Sequence, residues 1–60
     1  MPTFKPGQSV PQSGIYAELS ASGIKQTEVT CVKNEPFPPT KGSGYHYELV
    51  KAAVHRKSEG

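Results

Sequence analysis

Apolar and polar residues alternate with a period of two in three windows of this chain. Nowhere do they recur over a long stretch at the three-to-four spacing of an amphipathic helix. In the first window Ile15, Ala17 and Leu19 alternate with Tyr16, Glu18 and Ser20, which predicts a strand over about residues 14–20 with the first set buried. The second, Thr27-Glu28-Val29-Thr30-Cys31-Val32-Lys33, is rich in β-branched residues and predicts a strand over about 26–33 with Val29 and Cys31 on one face. The third, Tyr45-His46-Tyr47-Glu48-Leu49-Val50, predicts a strand over about 44–50, with Tyr45, Tyr47 and Leu49 opposite His46, Glu48 and Val50. Ser20-Ala21-Ser22-Gly23 supplies a hairpin loop that makes the first two strands antiparallel.

Between the second and third windows lies Glu35-Pro36-Phe37-Pro38-Pro39-Thr40. Each proline fixes φ and removes an amide donor, and each pushes the residue before it towards extended geometry, so the segment reads as a stiff polyproline-like strap rather than a strand. A stiff strap loses little entropy on ordering, and it holds the Phe37 ring in place either as a lid on a small core or as a contact for a partner. Asn34, just before it, is the non-glycine type most tolerant of a left-handed backbone.

These elements predict a mainly β fold: a small three-stranded antiparallel sheet with a proline-rich strap and loose termini. The inner side is assigned to Ile15, Ala17, Leu19, Val29, Cys31, Tyr47 and Leu49, with Phe37 packed onto them. Pro2, Pro6-Gly7, Pro11 and Ser13-Gly14 mark residues 2–13 as turns and a loose arm in which only Phe4 and Val10 are candidates for burial. The chain reads as a single domain of 60 residues, ordered over about 10–50, with 51–60 a flexible tail that has at most a turn of helix over Ala52-Ala53-Val54.

Composition narrows the chemistry. A chain of 60 residues buries only about 60% of the surface that its unfolded form exposes, and with Cys31 as its single cysteine it has no disulfide to compensate. The first residues lack the apolar run of a signal peptide and no stretch approaches the length of a membrane span, so the expectation is cytoplasmic. The net charge of +2 is mild and dispersed, apart from Lys51 and His55-Arg56-Lys57. Glu18, Glu28 and Glu48 fall at positions expected to face solvent, where they serve solubility. Cys31 with His46 or His55 is a conceivable thiolate and base, but a lone cysteine in a strand is more often a small core residue. One Cys and two scattered His, with no Asp, fall short of a zinc site, so neither a metal nor a cofactor is expected. Met1-Pro2 has the form of a catalytic N-terminal proline, but such enzymes need a strand-helix-strand unit for which no window exists. The expectation is a protein that is not an enzyme.

Two binding readings remain. Once the inner set is assigned, the period of two sends Tyr16, Val32 and Val50 outward as an apolar patch with no second layer to cover it. Phe37, Pro38 and Pro39 would stand at its rim, and the patch would bind a protein partner or a second copy of the chain. The opposing possibility is that Phe4 and Val10 fold back over the patch. Pro36-Phe37-Pro38-Pro39 with Lys33 or Lys41 also fits a P-x-x-P ligand, a pattern with many chance matches. The alternative is weak, sequence-tolerant binding of single-stranded nucleic acid, with Tyr16, Tyr45 and Tyr47 stacking on bases and Lys33 and Lys51 near phosphate. A single arginine, Arg56, argues against bidentate base reading.

Ser13-Gly14-x-Tyr16 and Phe37-Pro38-Pro39-Thr40, in that order around a Thr/Val-rich strand and before a Tyr-containing one, resemble the YjzC-like family of small bacterial proteins over roughly Phe4 to Val50. That pattern has Gly where this chain has Asn34. The family is of unassigned function, so the resemblance implies a small, soluble, non-secreted bacterial protein and no mechanism.

Overall fold

The computed structural model describes residues 2–53. Three strands form one antiparallel sheet: β1 (Gly14–Leu19), β2 (Lys25–Cys31) and β3 (His46–Ala52), in the order β2-β1-β3. β1 and β2 are joined by a tight hairpin. There the Ser20 amide donates to the Ile24 carbonyl at 2.8 Å, the Gly23 amide to the Ser20 carbonyl at 2.8 Å, and Gly23 takes the positive φ of 89° that glycine tolerates without strain. β3 then returns to the far side of β1, so β1 becomes the central strand. The third strand lies about two residues further along than its window predicts, because Lys51 and Ala52 continue the ladder opposite Ile15 and Gly14.

The buried face is the opposite of the one that alternation suggests for β1. Tyr16 has no exposed surface, and its cross-strand neighbours are Val29 and Leu49; Gly14 faces Cys31, and Glu18 faces Tyr47. Residues directly opposite in a ladder share a face, so Tyr16, Val29, Leu49, Cys31 and Tyr47 lie on one side, while Ile15, Ala17 and Leu19 lie on the other. Ile15 and Leu19 are half-buried there, and Glu18, expected to face solvent, is half-buried beside Tyr47. The physical reason is what covers each side. Phe37 of the strap and Phe4 and Val10 of the arm all pack onto the Tyr16 side.

That cover is an aromatic cluster centred on Phe37. Its ring stacks on Phe4 and on Tyr47, with centroids 5.4 and 4.9 Å away, and meets the Tyr16 ring edge-on at 4.9 Å. Burying each of these rings contributes about 1.5–3 kcal/mol, and the offset and edge-on pairings add to it. Both enclosed tyrosines have partners for their hydroxyls: Tyr16 donates to the Gln12 carbonyl at 2.7 Å and Tyr47 to the Pro38 carbonyl at 2.8 Å. No buried side-chain polar atom among the described residues lacks a partner.

The N-terminal arm is pinned rather than loose. Phe4 and Tyr47 exchange backbone hydrogen bonds of 2.9 and 2.7 Å. The strap's one amide between two prolines, that of Phe37, donates to the Gln8 carbonyl at 2.9 Å, and the Phe37 carbonyl accepts from Gly7 at 3.0 Å. Val10 donates to the Glu35 carbonyl at 2.8 Å and accepts from Asn34 at 2.9 Å, where Asn34 holds the left-handed φ of 74°. The one strap amide that lies between prolines is thus used to hold the arm. At the other end, Ala52 is in β3 rather than a helical turn, and the Ala53 amide donates to the Ser13 carbonyl at 2.9 Å. Val54 and His55-Arg56-Lys57 lie outside the described residues.

Candidate interaction surface

The side of the sheet away from the aromatic cluster carries no layer among the described residues. Its rows follow from the register. Ile15 lies between Thr30 and Lys51, Ala17 between Glu28 and Glu48, and Leu19 between Lys25 and His46. An apolar seam therefore runs down the central strand, flanked by charge. Ala17, in the middle of that seam, is almost fully buried. Lys25 and Glu28 pair at 2.8 Å; Glu48 is in no ion pair among the described residues.

One end of the seam opens into an apolar groove, lined by Ile15, Cys31, Val32, Ala52 and Ala53 around Gly14. Gly14 sits there because the strands approach too closely for a side chain: a Cβ would lie 2.5 Å from the Lys51 carbonyl oxygen and 3.0 Å from Ala52 Cα. A bulge in β3 beside Ile15 and Tyr16 lets Val50 stand out, 53% exposed, and Val32 just past β2 is 57% exposed.

Of the residues that the sequence nominates for a partner, Val32 and Val50 lie on the surface, as do Pro38 and Pro39. Tyr16 and Phe37 do not: both are enclosed in the core, so neither ring meets a partner while the domain is folded. The folding back of Phe4 and Val10 accounts for Tyr16, but it leaves Val32 and Val50 uncovered. Of the stacking set, Tyr47 is enclosed with Tyr16, which leaves half-buried Tyr45 and the exposed Lys33 and Lys51. Three aromatic rings on one open face is thus not what the fold presents.

Cys31 and His46 belong to opposite faces and opposite ends of β1, about 17 Å apart at the rise of a strand, so they form no thiolate-base pair. Burial also pushes the Cys31 thiol up from its ordinary value, the direction of an inert core thiol. Among the described residues no three His, Cys, Asp or Glu side chains are placed to hold a metal.

Alternation alone places Ile15, Ala17 and Leu19 in the core, so it does not nominate them for the seam. A signal was present. β1 is apolar on both phases, with Tyr16 on one and Ile15, Ala17 and Leu19 on the other, as suits a central strand rather than an edge.

The two family-like motifs prove to be structural. Ser13 Oγ accepts the Lys33 amide at 2.9 Å, Gly14 permits close approach and Tyr16 fills the core; Phe37 is the cluster's hub and Pro38 accepts the Tyr47 hydroxyl. No family model, curated protein or solved structure matches the chain, so the likeness to YjzC-like proteins rests on those two motifs alone.

Proposed function

We propose that this chain is a non-enzymatic protein-interaction module that binds through the face carrying Ile15, Ala17, Leu19 and Val50, with Val32 at its end. The observation that carries the reading is an apolar seam on a central strand with no second layer over it among the described residues, when sheets of globular domains bury an apolar face against another layer. Exposed Val50 and Val32 extend the seam into a patch of the kind that marks interaction sites on small proteins. The exposed Pro38 and Pro39 belong to the opposite, strap-covered side and so serve the fold rather than this surface. Likeness to the YjzC-like proteins supports placing the module in a bacterial cytoplasm.

Photo-crosslinking in the expressing cell tests this. A photoreactive residue at position 50 or 32 should give discrete adducts, whereas one at position 8 or 39, on the strap side, should not. Adducts that are absent at 50 and 32, or equal at all four positions, refute the surface. Titration with a single-stranded oligonucleotide is the companion measurement, and salt-sensitive shifts confined to Tyr45, Lys33 and Lys51 would favour nucleic acid instead.

A further inference from the structure

A concave region of different character lies at the start of β3, beside the Leu19 end of the seam. It is an open pocket of about 540 Å³, bordered by Thr3 and Lys5 of the arm, by the Gly42-Ser43-Gly44 turn and by His46. We propose that it is a binding site for a small phosphorylated molecule, with the phosphoryl group held between Lys5, His46 and the amides of the turn. The site does not depend on the surface that meets a protein partner.

Its charge follows from how the arm joins the sheet. Phe4 and Tyr47 exchange both backbone hydrogen bonds, and in an antiparallel pair the flanking residues then stand opposite each other, Lys5 beside His46 and Thr3 beside Glu48. On its other side His46 faces Leu19, and Leu19 faces Lys25, so this row of the sheet reads Lys25, Leu19, His46, Lys5. Lys25 is paired with Glu28, but Lys5 is in no ion pair among the described residues. No carboxylate borders the pocket among the described residues; Glu48, on the same face of β3 as His46, is two residues away, about 7 Å along the strand.

The hydrogen-bonding groups have the same polarity as the charge. His46 Nδ1 lies 3.0 Å from the Gly44 carbonyl, which only accepts, so the proton is assigned to Nδ1 and Nε2 is left for a ligand. A phosphate monoester complements Nε2 in either state of the ring: its protonated oxygen donates to the neutral imidazole, and its dianion accepts from the charged one. The carbonyls of the turn are used internally, that of Gly42 by the Thr40 hydroxyl at 3.1 Å and that of Gly44 by His46. The amides of Gly42, Ser43 and Gly44 donate to no acceptor among the described residues. Gly44 takes the positive φ of 83°, and a turn that ends in such a residue can set successive amides towards one anion.

Size argues for more than a bare anion. The volume is that of a small-molecule site, well beyond what one phosphate fills, and the half-buried Tyr45 ring borders the same space as an apolar surface for the carbon part of the ligand.

Titration of the isotopically labelled full chain at low salt tests the site, with adenosine monophosphate, ribose 5-phosphate, inorganic phosphate and, as the control for charge screening, sulfate at matched ionic strength. Both esters should shift the amides of Gly42, Ser43 and Gly44 and the His46 ring, and should bind more tightly than either inorganic anion. Lys5→Met and His46→Gln should each weaken the esters about threefold or more and keep the wild-type melt. Lys33→Met, at the opposite end of the sheet, should leave their affinity unchanged. Inorganic phosphate or sulfate that binds as tightly as the esters overturns the small-molecule site in favour of general anion attraction. Absence of shifts over residues 42–46 with any of the four compounds overturns it outright. A single-stranded oligonucleotide that binds far more tightly than the monophosphate, with shifts reaching Lys33 and Lys51, overturns it in favour of nucleic acid.

Discussion

Removing the Phe37 ring should unfold the domain, because no other side chain touches so much of what encloses it. The ring is 2% exposed and contacts Phe4, Tyr16 and Tyr47, while its backbone joins the strap to the arm. Truncating a buried Phe to Ala costs about 3–5 kcal/mol through lost transfer energy and the cavity that remains. A 60-residue domain has a total stability of roughly 3–9 kcal/mol at ordinary values per residue, so Phe37→Ala lies at or beyond the edge of folding. Phe37→Leu retains an apolar filling but forfeits ring pairs worth about 0.5–1.5 kcal/mol each, and should remain folded with a lower midpoint. Urea titration followed by tyrosine fluorescence measures both variants, since the two tyrosines beside Phe37 have no tryptophan to mask them. Val50→Ala, on the open face, is the control and should change stability by no more than about 0.5 kcal/mol. A Phe37→Ala midpoint equal to that of Val50→Ala would show that the strap does not close the core.

Gly14→Ala should cost about 1–3 kcal/mol as overpacking, because the new Cβ meets the backbone of Lys51 and Ala52 and backbone cannot rotate away; an unchanged melt would mean that β3 shifts freely there. At Asn34, with φ of 74°, Asn34→Gly should be neutral or slightly stabilising, whereas Asn34→Val should lose about 1–2 kcal/mol in a thermal melt. Alkaline pH supplies a third test. Burial, first among the causes, raises Tyr16 and Tyr47 above 10.0 and Cys31 above 9.0, and each group therefore holds its proton more tightly folded than unfolded. The stability they contribute is fully present below about pH 9 and is lost as pH rises through the folded values. Urea midpoints should thus decline at alkaline pH, and the decline should shrink in the Tyr16→Phe/Tyr47→Phe pair measured against its own neutral-pH value. A decline of the same size in that pair would move the cause elsewhere.

Strand number, approximate strand limits and the turn chemistry are legible in this sequence because they are local. A period of two, a glycine at a hairpin and prolines that forbid a ladder act over a few residues each and need no knowledge of the rest. The left-handed Asn34 and the extended strap around Phe37 follow in the same way, from the steric limits of one or two residues. Which face of β1 is buried is not local. Ile15, Ala17 and Leu19 are as apolar a set as Tyr16 with its ladder neighbours, and alternation is symmetric between the two phases. The choice is made by Phe4, Val10 and Phe37, which approach from far along the chain and bring three apolar side chains to the Tyr16 side. Backbone hydrogen bonds hold them there: Phe4 with Tyr47, Val10 with Asn34 and Glu35, and Phe37 with Gly7 and Gln8. The open face inherits the other phase, and its rows of charge exist only because the hairpin and the return of β3 set Glu28 and Glu48 on either side of Ala17.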